Sequence, residues 1–311
     1  MIPWPKAVAG YLATRRALGF QLKRPGWLLL DFARFLQHER AATLTVTRAL
    51  RWAQQNPSVQ LATQAQRLSV VRGFARYHRA IDPRTEIPPL SLLPYQPKRA
   101  RPYLYTDLEV DRLLDAALLL SPEDPLRCWV YYTLIGLLAV SGLRIEETLD
   151  LRLGDVDLDA GILTIRRAKF GQSRLVPLHP SSRKQLIAYR ERRNRRCAGR
   201  EVSDFFLVNR RGERLESSNV RRTFYVLQRR TGLRRLGDHH GPRLHDFRHR
   251  FAASTLIRWY RKGDDVEQRL PVLSTFLGHI HVADTYWYLT ACPELMGLAV
   301  KRLERRWNDA A

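Results

Sequence analysis

The chain has 311 residues, 45% of them hydrophobic, and carries 53 Lys plus Arg against 30 Asp plus Glu, a formal net charge of +23. This length predicts two domains, and the apolar content excludes a disordered chain or one that needs disulfides to fold. The positive excess predicts a polyanionic partner, with nucleic acid favoured over a membrane surface or an acidic protein.

Cysteine usage and apolar runs predict the compartment. The cysteines are few and far apart, which argues against both a disulfide framework and a cysteine zinc site; they are Cys128, Cys197 and Cys292. We find no apolar run of signal-peptide length at the N-terminus, and no run of the roughly 20 residues that span a bilayer. We therefore expect a soluble, unexported, cytoplasmic protein associated with the nucleoid.

Residues 1–81 show apolar positions at spacings of three and four, which predicts an all-helical domain. The helical segments are PWPKAVAGYLATRRALGF, WLLLDFARFLQHERAA, TVTRALRWAQQ and TQAQRLSVVRGFARYHRAI. A polar stripe on the last segment lies opposite Leu68, Val71 and Phe74. The candidate DNA contacts of this domain are Lys23, Arg24, Gln64, Arg67 and Arg72.

Prolines interrupt the helical pattern over residues 82–102, DPRTEIPPLSLLPYQPKRARP. Proline lacks a backbone donor and resists helix continuation. We predict an extended, basic linker that lies along a phosphate backbone.

Residues 103–311 predict a second, mostly helical domain with a small antiparallel sheet. Thr106 and an acidic first turn begin one helix, and CWVYYTLIGLLAV is apolar nearly all round, as in a buried helix. A further helix, RIEETLDL, follows a Ser-Gly turn. GILTIRRAKFGQSRLVPL alternates about a turn and predicts a hairpin. The remaining elements are a helix SRKQLIAYRERRNRR, a short strand DFFLVN, helices over 216–230, 244–262 and 267–277, and a last helix ELMGLAVKRLERRW.

Histidines raise the possibility of a metal site, because His245 and His249 are four residues apart, and His279 and His281 follow. The segment HDFRH lacks the glutamate that follows the first histidine in metallohydrolase helices. The cationic Arg248 between the two histidines would repel a divalent ion. We predict that these residues bind no metal.

Arg248 and His245 suit a phosphate better than a metal. Their spacing of three places both on one helical face, where a guanidinium and an imidazole can converge on an anion. Arg144 follows SGL at the start of a helix, where backbone N–H groups also favour an anion. The alternative is a surface arginine that pairs with Glu146 or Glu147.

Five boxes across residues 141–288 carry a family resemblance. They are SGLRIEETLDL, AKFGQSRLVPL, HDFRHRFAAS, LGH and a tyrosine nine residues after that histidine. In this order and at these distances they resemble the tyrosine recombinase, or phage integrase, family. The resemblance implies a helical core-binding (SAM-like) domain and a catalytic domain that close on DNA as a C-clamp. It assigns catalytic roles to Arg144, Lys169, His245, Arg248, His279 and Tyr288.

The resemblance implies that Tyr288 attacks a phosphate and forms a 3′-phosphotyrosine link. The arginines would stabilise the phosphorane charge, and Lys169 would protonate the leaving 5′ oxygen. His245 would accept the phenol proton, and His279 would hold a phosphate oxygen. Neither metal nor ATP is required, because the link retains the bond energy.

Tyr286 is the internal competitor for the nucleophile. Spacing favours Tyr288, and an aromatic run such as TYWYL is typical of a core. We therefore expect Tyr286 and Trp287 to pack, while Tyr288 points into the site.

Two basic runs, 189–200 and 221–230, predict contacts with duplex backbone, and their candidates are Arg192, Arg221 and Arg222. The last helix carries an apolar stripe of Leu295, Ala299, Leu303 and Trp307. The stripe fits docking on a neighbouring protomer or folding back on its own domain. The resemblance implies a homo-oligomer of four protomers on two duplexes, with accessory or sister recombinases as further partners.

The sequence as a whole predicts a site-specific recombinase that integrates or transposes a mobile element. Its tail, DTYWYLTACPELM, is similar to recombinases of transposable elements and plasmids. The alternatives are a type IB topoisomerase-like enzyme, a telomere resolvase, or a non-catalytic DNA-binding accessory subunit.

Overall fold

The computed structural model describes residues 3–93, 101–120, 124–166, 173–238 and 240–309. The chain divides into two compact units, residues 1–100 and residues 101–311. Within the described residues, no helix combines the length and the apolarity needed to cross a bilayer.

The first unit consists of four helices, as its apolar spacing predicts. They are α1 (Trp4–Ala17), α2 (Lys23–His38), α3 (Val46–Ala53) and α4 (Leu61–His78). Their apolar faces meet in one core around Phe32, Trp52 and Phe74, each fully buried. Thr45 caps α3, because its hydroxyl accepts the N–H of Arg48.

Residues 82–93, which form most of the described part of the predicted linker, pack against this unit. Ile87, Leu92 and Leu93 lie on its core, and the Glu86 carboxylate accepts the backbone N–H of Val46 at 2.6 Å. The carbonyls of Pro88 and Pro89 belong to no helix or strand, and the Arg72 guanidinium of α4 donates hydrogen bonds to both. The segment therefore continues the first unit up to residue 93.

The second unit is mainly helical with one small sheet, which confirms the predicted fold class. Its helices are α5 (Asp107–Leu118), α6 (Pro125–Ser141), α7 (Ile145–Leu149), α8 (Pro180–Cys197), α9 (Ser217–Arg230), α10 (Asp246–Lys262), α11 (Val266–Leu277), α12 (Ala283–Ala291) and α13 (Pro293–Asp309), with a short 3₁₀ turn at Leu153–Asp155. Thr106 and Glu109 form the predicted capping box of α5.

The sheet is antiparallel, in the order β1 (Val156–Asp157), β2 (Ile162–Ile165), β3 (Arg174–Pro177). The predicted hairpin is β2 and β3, in the register Ile165 opposite Arg174. The strand predicted at DFFLVN is wrong. Its backbone makes only two isolated bridges, one from Phe205 to Arg152 and one from Val208 to Arg214. Phe206, Leu207 and Val208 are nonetheless buried in the core.

Two apolar clusters form the core of the second unit. One joins α5, α6, α9 and the sheet. The other joins α10, α11, α12 and the start of α13, and it includes Leu256, Tyr288 and Leu295. The sequence analysis did not predict α12, the helix that carries Tyr288.

Candidate active site

Arg144 begins helix α7, directly after the turn that ends α6. Gly142 makes this turn with φ +60, and a Cβ there would lie 2.7 Å from Phe251. The Arg144 guanidinium donates to Glu147 Oε1 at 2.7 Å and to the Gly278 carbonyl at 3.0 Å. Its side chain is 25% exposed, so it remains accessible from solvent.

Arg248 lies in the first turn of α10 and is only 2% exposed. Its guanidinium donates to the Gly142 carbonyl at 2.9 Å and to the Leu277 carbonyl at 2.6 Å. Burial, and then the charge of Arg144, lower the pKa of Arg248 to about 10, so it stays charged at neutral pH. The carbonyl ends of α6 and α11 thus hold a second cation beside Arg144.

Glu147 pairs with two arginines, of which the sequence analysis considered only Arg144. Arg174 of β3 donates to both oxygens of Glu147, at 2.7 and 3.1 Å. Burial raises the pKa of Glu147, but hydrogen bonds and charge from Arg174, followed by Arg144, lower it to about 2. The segment SRLVPL does not predict this role of Arg174, because its partner Glu147 is 27 residues away in the sequence.

His279 follows the C-terminal glycine of α11, and its Nδ1 is hydrogen bonded to the hydroxyl of Thr285 at 2.8 Å. Burial, then the charges of Arg248 and Arg144, lower the pKa of His279 to about 4. The imidazole is therefore neutral at pH 7. Its ring stacks on that of Tyr288, with centroids 6.1 Å apart.

Tyr288 lies on α12 and is 4% exposed. Its ring contacts the rings of His249, His279 and Trp287. Tyr288 also acts electrostatically on Arg248, whose pKa it raises.

The neighbours of Tyr288 in the segment TYWYL behave differently from one another. Trp287 packs as expected, with its ring 5.0 Å from that of His249. The expectation that Tyr286 packs is wrong, because its side chain is 53% exposed. The helical turn of α12 places residues 286 and 288 on different faces.

His245 and His249 lie one turn apart at the start of α10, with rings 4.8 Å apart. The residue His245 as a whole is exposed. Its imidazole is nevertheless partly desolvated, and this desolvation, followed by the charges of Arg248 and Arg243, lowers the pKa of His245. His249 is buried, and its Nδ1 has no hydrogen-bond partner among the described residues. The sequence analysis left His249 outside the site, and the structure places it between His245 and Tyr288.

Lys169, the predicted general acid, lies outside the described residues. The flanking strands β2 and β3 are described, and Arg174 of β3 contacts the site.

Among the residues that the structure describes, no group of three or more His, Cys, Asp or Glu side chains could hold a metal ion. The positive charge of the site comes instead from Arg144, Arg174 and Arg248, with Glu147 as the carboxylate between them. Such a cluster can bind and polarise a phosphate group.

The predicted DNA contacts fall into three groups. The exposed side chains are those of Lys23, Arg24, Arg221 and Arg222. Partly buried side chains are those of Gln64, of Arg67 stacked on Trp52, and of Arg192 stacked on Trp129. The prediction for Arg72 is wrong. Its side chain is buried and donates to the carbonyls of Pro88 and Pro89 at 2.7 and 2.6 Å, so it holds the chain after α4.

Comparisons with known proteins extend over this whole site. Residues 104–294 match the phage integrase family. The chain is 52% identical over 312 residues to the “Putative integrase/recombinase y4rB” of Sinorhizobium fredii, which covers 99% of each protein. It is 28% identical over 235 residues to the tyrosine recombinase XerA of Thermococcus kodakarensis, with 75% of this chain and 70% of that protein covered.

The fold is also that of solved recombinase structures. The Tn1549 transposon integrase in complex with transposon right end DNA superposes with a TM-score of 0.68 at 15% identity, covering 98% of this chain and 99% of that chain. The resemblance of the five boxes is thereby confirmed. The chain belongs to the phage integrase family, whose tyrosine recombinases cleave and rejoin DNA strands.

Proposed function

We propose that Tyr288 is the nucleophile that cleaves DNA, and that Arg144 and Arg248 hold the attacked phosphate. One observation carries this assignment. Both guanidiniums are hydrogen bonded to the last carbonyls of α11, and the Tyr288 ring stacks on His279, which directly follows that helix end. The C-terminal end of α11 thus holds both guanidiniums and, through His279, contacts the ring of the proposed nucleophile.

The proposed reaction exchanges one phosphoester for another. The phenol oxygen of Tyr288 bonds to phosphorus, the bond from phosphorus to the 5′ oxygen breaks, and a 3′-phosphotyrosine forms. Charge that develops on the nonbridging oxygens meets two rigid guanidiniums, which keep their protons. The freed 5′ hydroxyl of a partner strand then reverses the step, so neither ATP nor a metal is needed.

Proton transfer requires a base for the phenol and an acid for the leaving oxygen. We assign the base to His245, whose lowered pKa leaves it neutral at pH 7. Its ring contacts His249, which contacts Tyr288, so His249 is the bridge between them. His279 donates to a phosphate oxygen, and Lys169 remains the proposed acid on the grounds of its sequence box.

Duplex DNA is the proposed substrate. The exposed cations Lys23, Arg24, Arg221 and Arg222 would contact its phosphates, with Gln64, Arg67 and Arg192 beside them. The relative named as an integrase/recombinase and the similar fold of a transposon integrase support integration or transposition of a mobile element as the biological reaction.

A homo-oligomer on DNA is the proposed working form. Helix α13 packs on its own unit through Leu295, which is fully buried, yet it leaves Met296, Val300, Leu303 and Trp307 exposed. An apolar face of this kind suits a contact with a second copy of the chain.

The test is a covalent trap. A duplex half-site is nicked beside the scissile phosphate, so that a short strand diffuses away after cleavage and the 3′ link cannot be reversed. The wild-type protein should give a slowly migrating protein–DNA band on a denaturing gel, also in the presence of EDTA. Tyr288→Phe should give no band while it binds the duplex normally, and Tyr286→Phe should behave as wild type. A band from Tyr288→Phe would overturn the assignment.

A further inference from the structure

Three consecutive carbonyls at the C-terminal end of α11 each accept a hydrogen bond from a different arginine. The pairs are Phe276 O with Arg174 Nε at 2.8 Å, Leu277 O with Arg248 Nη2 at 2.6 Å, and Gly278 O with Arg144 Nη2 at 3.0 Å. The last carbonyls of a helix lack intrahelical donors and carry the negative end of its dipole. Two of these arginines are catalytic in the proposed function, and the third, Arg174, has no role there.

Arg174 also binds the Glu147 carboxylate, which is the carboxylate that pairs with Arg144. Glu147 Oε1 accepts from Arg144 Nη1 at 2.7 Å and from Arg174 Nη1 at 3.1 Å, while Oε2 accepts from Arg174 Nη2 at 2.7 Å. The Arg144 guanidinium therefore makes a single hydrogen bond to Glu147, while the Arg144 backbone N–H donates to Glu147 Oε2 at 3.0 Å. Without Arg174, Oε2 would lose its charged donor, and both carboxylate oxygens could turn to the Arg144 guanidinium in a bidentate pair, which would draw it away from a phosphate.

The position of Arg174 is tightly constrained. Its side chain is 8% exposed, so it is shielded from solvent. Gly278 lies against it with φ +69, and a Cβ on that glycine would lie 2.7 Å from Arg174 Nη1. The absence of a side chain at Gly278 thus makes room for the third guanidinium beside the helix end that precedes His279.

We propose that Arg174 is a positioning residue of the active site, which holds Glu147 and the end of α11 so that Arg144 keeps its guanidinium available to the phosphate. The proposal rests on the proposed function. Among the described residues, Arg174 hydrogen bonds to Glu147 and to the carbonyl of Phe276, and Glu147 in turn pairs with Arg144. A displacement of about 1 Å at a catalytic group lowers a rate by roughly 10²-fold.

The experiment compares Arg174→Gln with a matched variant, Arg193→Gln. Arg193 lies in the basic run 189–200, but its side chain is buried, 3% exposed, and faces its own unit, where it donates to the carbonyls of Ser203 and Phe205 at 2.7 and 3.0 Å. Full-length proteins are assayed on the nicked half-site for single-turnover cleavage rate, DNA affinity and melting temperature. Both variants should have a lower melting temperature than the wild-type protein. Only Arg174→Gln should lose cleavage rate, by about 10²-fold at saturating DNA, with affinity changed less than threefold.

A second variant, Arg174→Lys, separates geometry from charge. Lysine keeps the positive charge, but its three donors lie on one nitrogen and do not reproduce the planar fork with which Arg174 spans Phe276 O and both Glu147 oxygens. We expect its cleavage rate to stay at least about 10-fold below wild type. Full activity of Arg174→Lys, or equal rate losses in Arg174→Gln and Arg193→Gln, would overturn the proposal.

Failure of this proposal and failure of the proposed function give different results. If wild-type protein forms no adduct, or if Tyr288→Phe still forms one, the assignment of the nucleophile is wrong. If wild-type protein cleaves, Tyr288→Phe does not, and Arg174→Gln cleaves at the wild-type rate, the positioning role alone is wrong.

Discussion

The phenol ring of Tyr288 lies nearly parallel to the imidazole of His279, with centroids 6.1 Å apart and planes 19° apart. The hydroxyl of Thr285, which is fully buried, fixes the imidazole through Nδ1. Because His279 directly follows the helix end that binds Arg144 and Arg248, this stacking places α12 against the arginine cluster. The turn after α11 therefore connects the support of Tyr288 with that of the two guanidiniums.

The buried histidines predict a dependence of stability on pH. Burial, then His245, lower the pKa of His249 to about 4, and that of His279 is lowered to about 4 by burial, Arg248 and Arg144. Between pH 6.5 and 4 the unfolded chain binds more protons than the folded chain. The free energy of unfolding should therefore fall as pH falls through this window, by at most about 1.4 kcal/mol per pH unit for each histidine.

The variant His249→Phe isolates one of these titrations. Phenylalanine keeps the aromatic contacts with Trp287 and Tyr288 but binds no proton. Melting temperatures of the second unit's transition, measured by calorimetry at pH 6.5 and pH 5, should differ less for the variant than for wild type. An identical pH dependence in both proteins would show that His249 is not held neutral by the fold.

Arg72 should matter for stability and Arg24 for DNA. Arg72→Gln removes donors from the carbonyl of Pro88, which is buried, and from that of Pro89, at a cost of about 1–3 kcal/mol in the free energy of unfolding of the first unit. Arg24→Gln, at an exposed position, should change stability by less than about 0.5 kcal/mol. Denaturant titrations and DNA affinity of the folded proteins check both. A stable Arg72→Gln protein with weakened DNA binding would restore Arg72 as a DNA contact.

DNA affinity should depend steeply on salt. If six or more phosphates are neutralised, binding should weaken by about 10³-fold or more between 50 and 200 mM salt. Replacement of Arg221 and Arg222 by Gln should lower the slope of log K against log salt by about two. Arg152, an exposed arginine that pairs with Asp204 at 2.6 Å, supplies the control, and Arg152→Gln should leave the slope unchanged. Fluorescence anisotropy with a labelled duplex measures all three slopes. Equal slopes in all three proteins would remove α9 from the DNA contacts.

Helix α13 should be needed for the assembly of protomers but not for the binding of DNA by one protomer. Leu303 and Trp307 are 50% and 71% exposed, so replacing both by Asp should leave the fold intact. Binding of one half-site should be unchanged, while complexes that join two duplexes should be lost from native gels and light scattering. Leu236→Asp, at a position 85% exposed in the same unit, should form such complexes as wild type does. Normal assembly by the α13 variant would rule out this surface as the protomer contact.

Local patterns predicted most of the helices, and they singled out Arg144 and Arg248, which meet at the end of α11. The capping box at Thr106, the buried helix α6 and the hairpin of β2 and β3 each follow from spacing within a short segment. The five boxes identified the family, because order and distance along the chain carry that information. The burial of Tyr288 and the exposure of Tyr286 did not follow from the sequence, since aromatic runs have no clear period.

Contacts between distant segments could not be predicted. Arg174 meets Glu147 and Phe276 only because β3, α7 and the end of α11 come together in the fold. Arg72 has the spacing of a surface arginine on α4, and it is buried because the proline-rich segment folds back over it. In both cases a polar side chain is satisfied by carbonyls or a carboxylate that no local pattern reveals.

The assignment of Tyr288 is tested most directly by locating the covalent link. The trapped adduct of the wild-type protein is digested with nuclease and protease, and mass spectrometry identifies the peptide that retains a nucleotide. We predict a 3′-linked nucleotide on residue 288 and none on residue 286. A nucleotide on Tyr286, or on any residue other than Tyr288, would contradict the account.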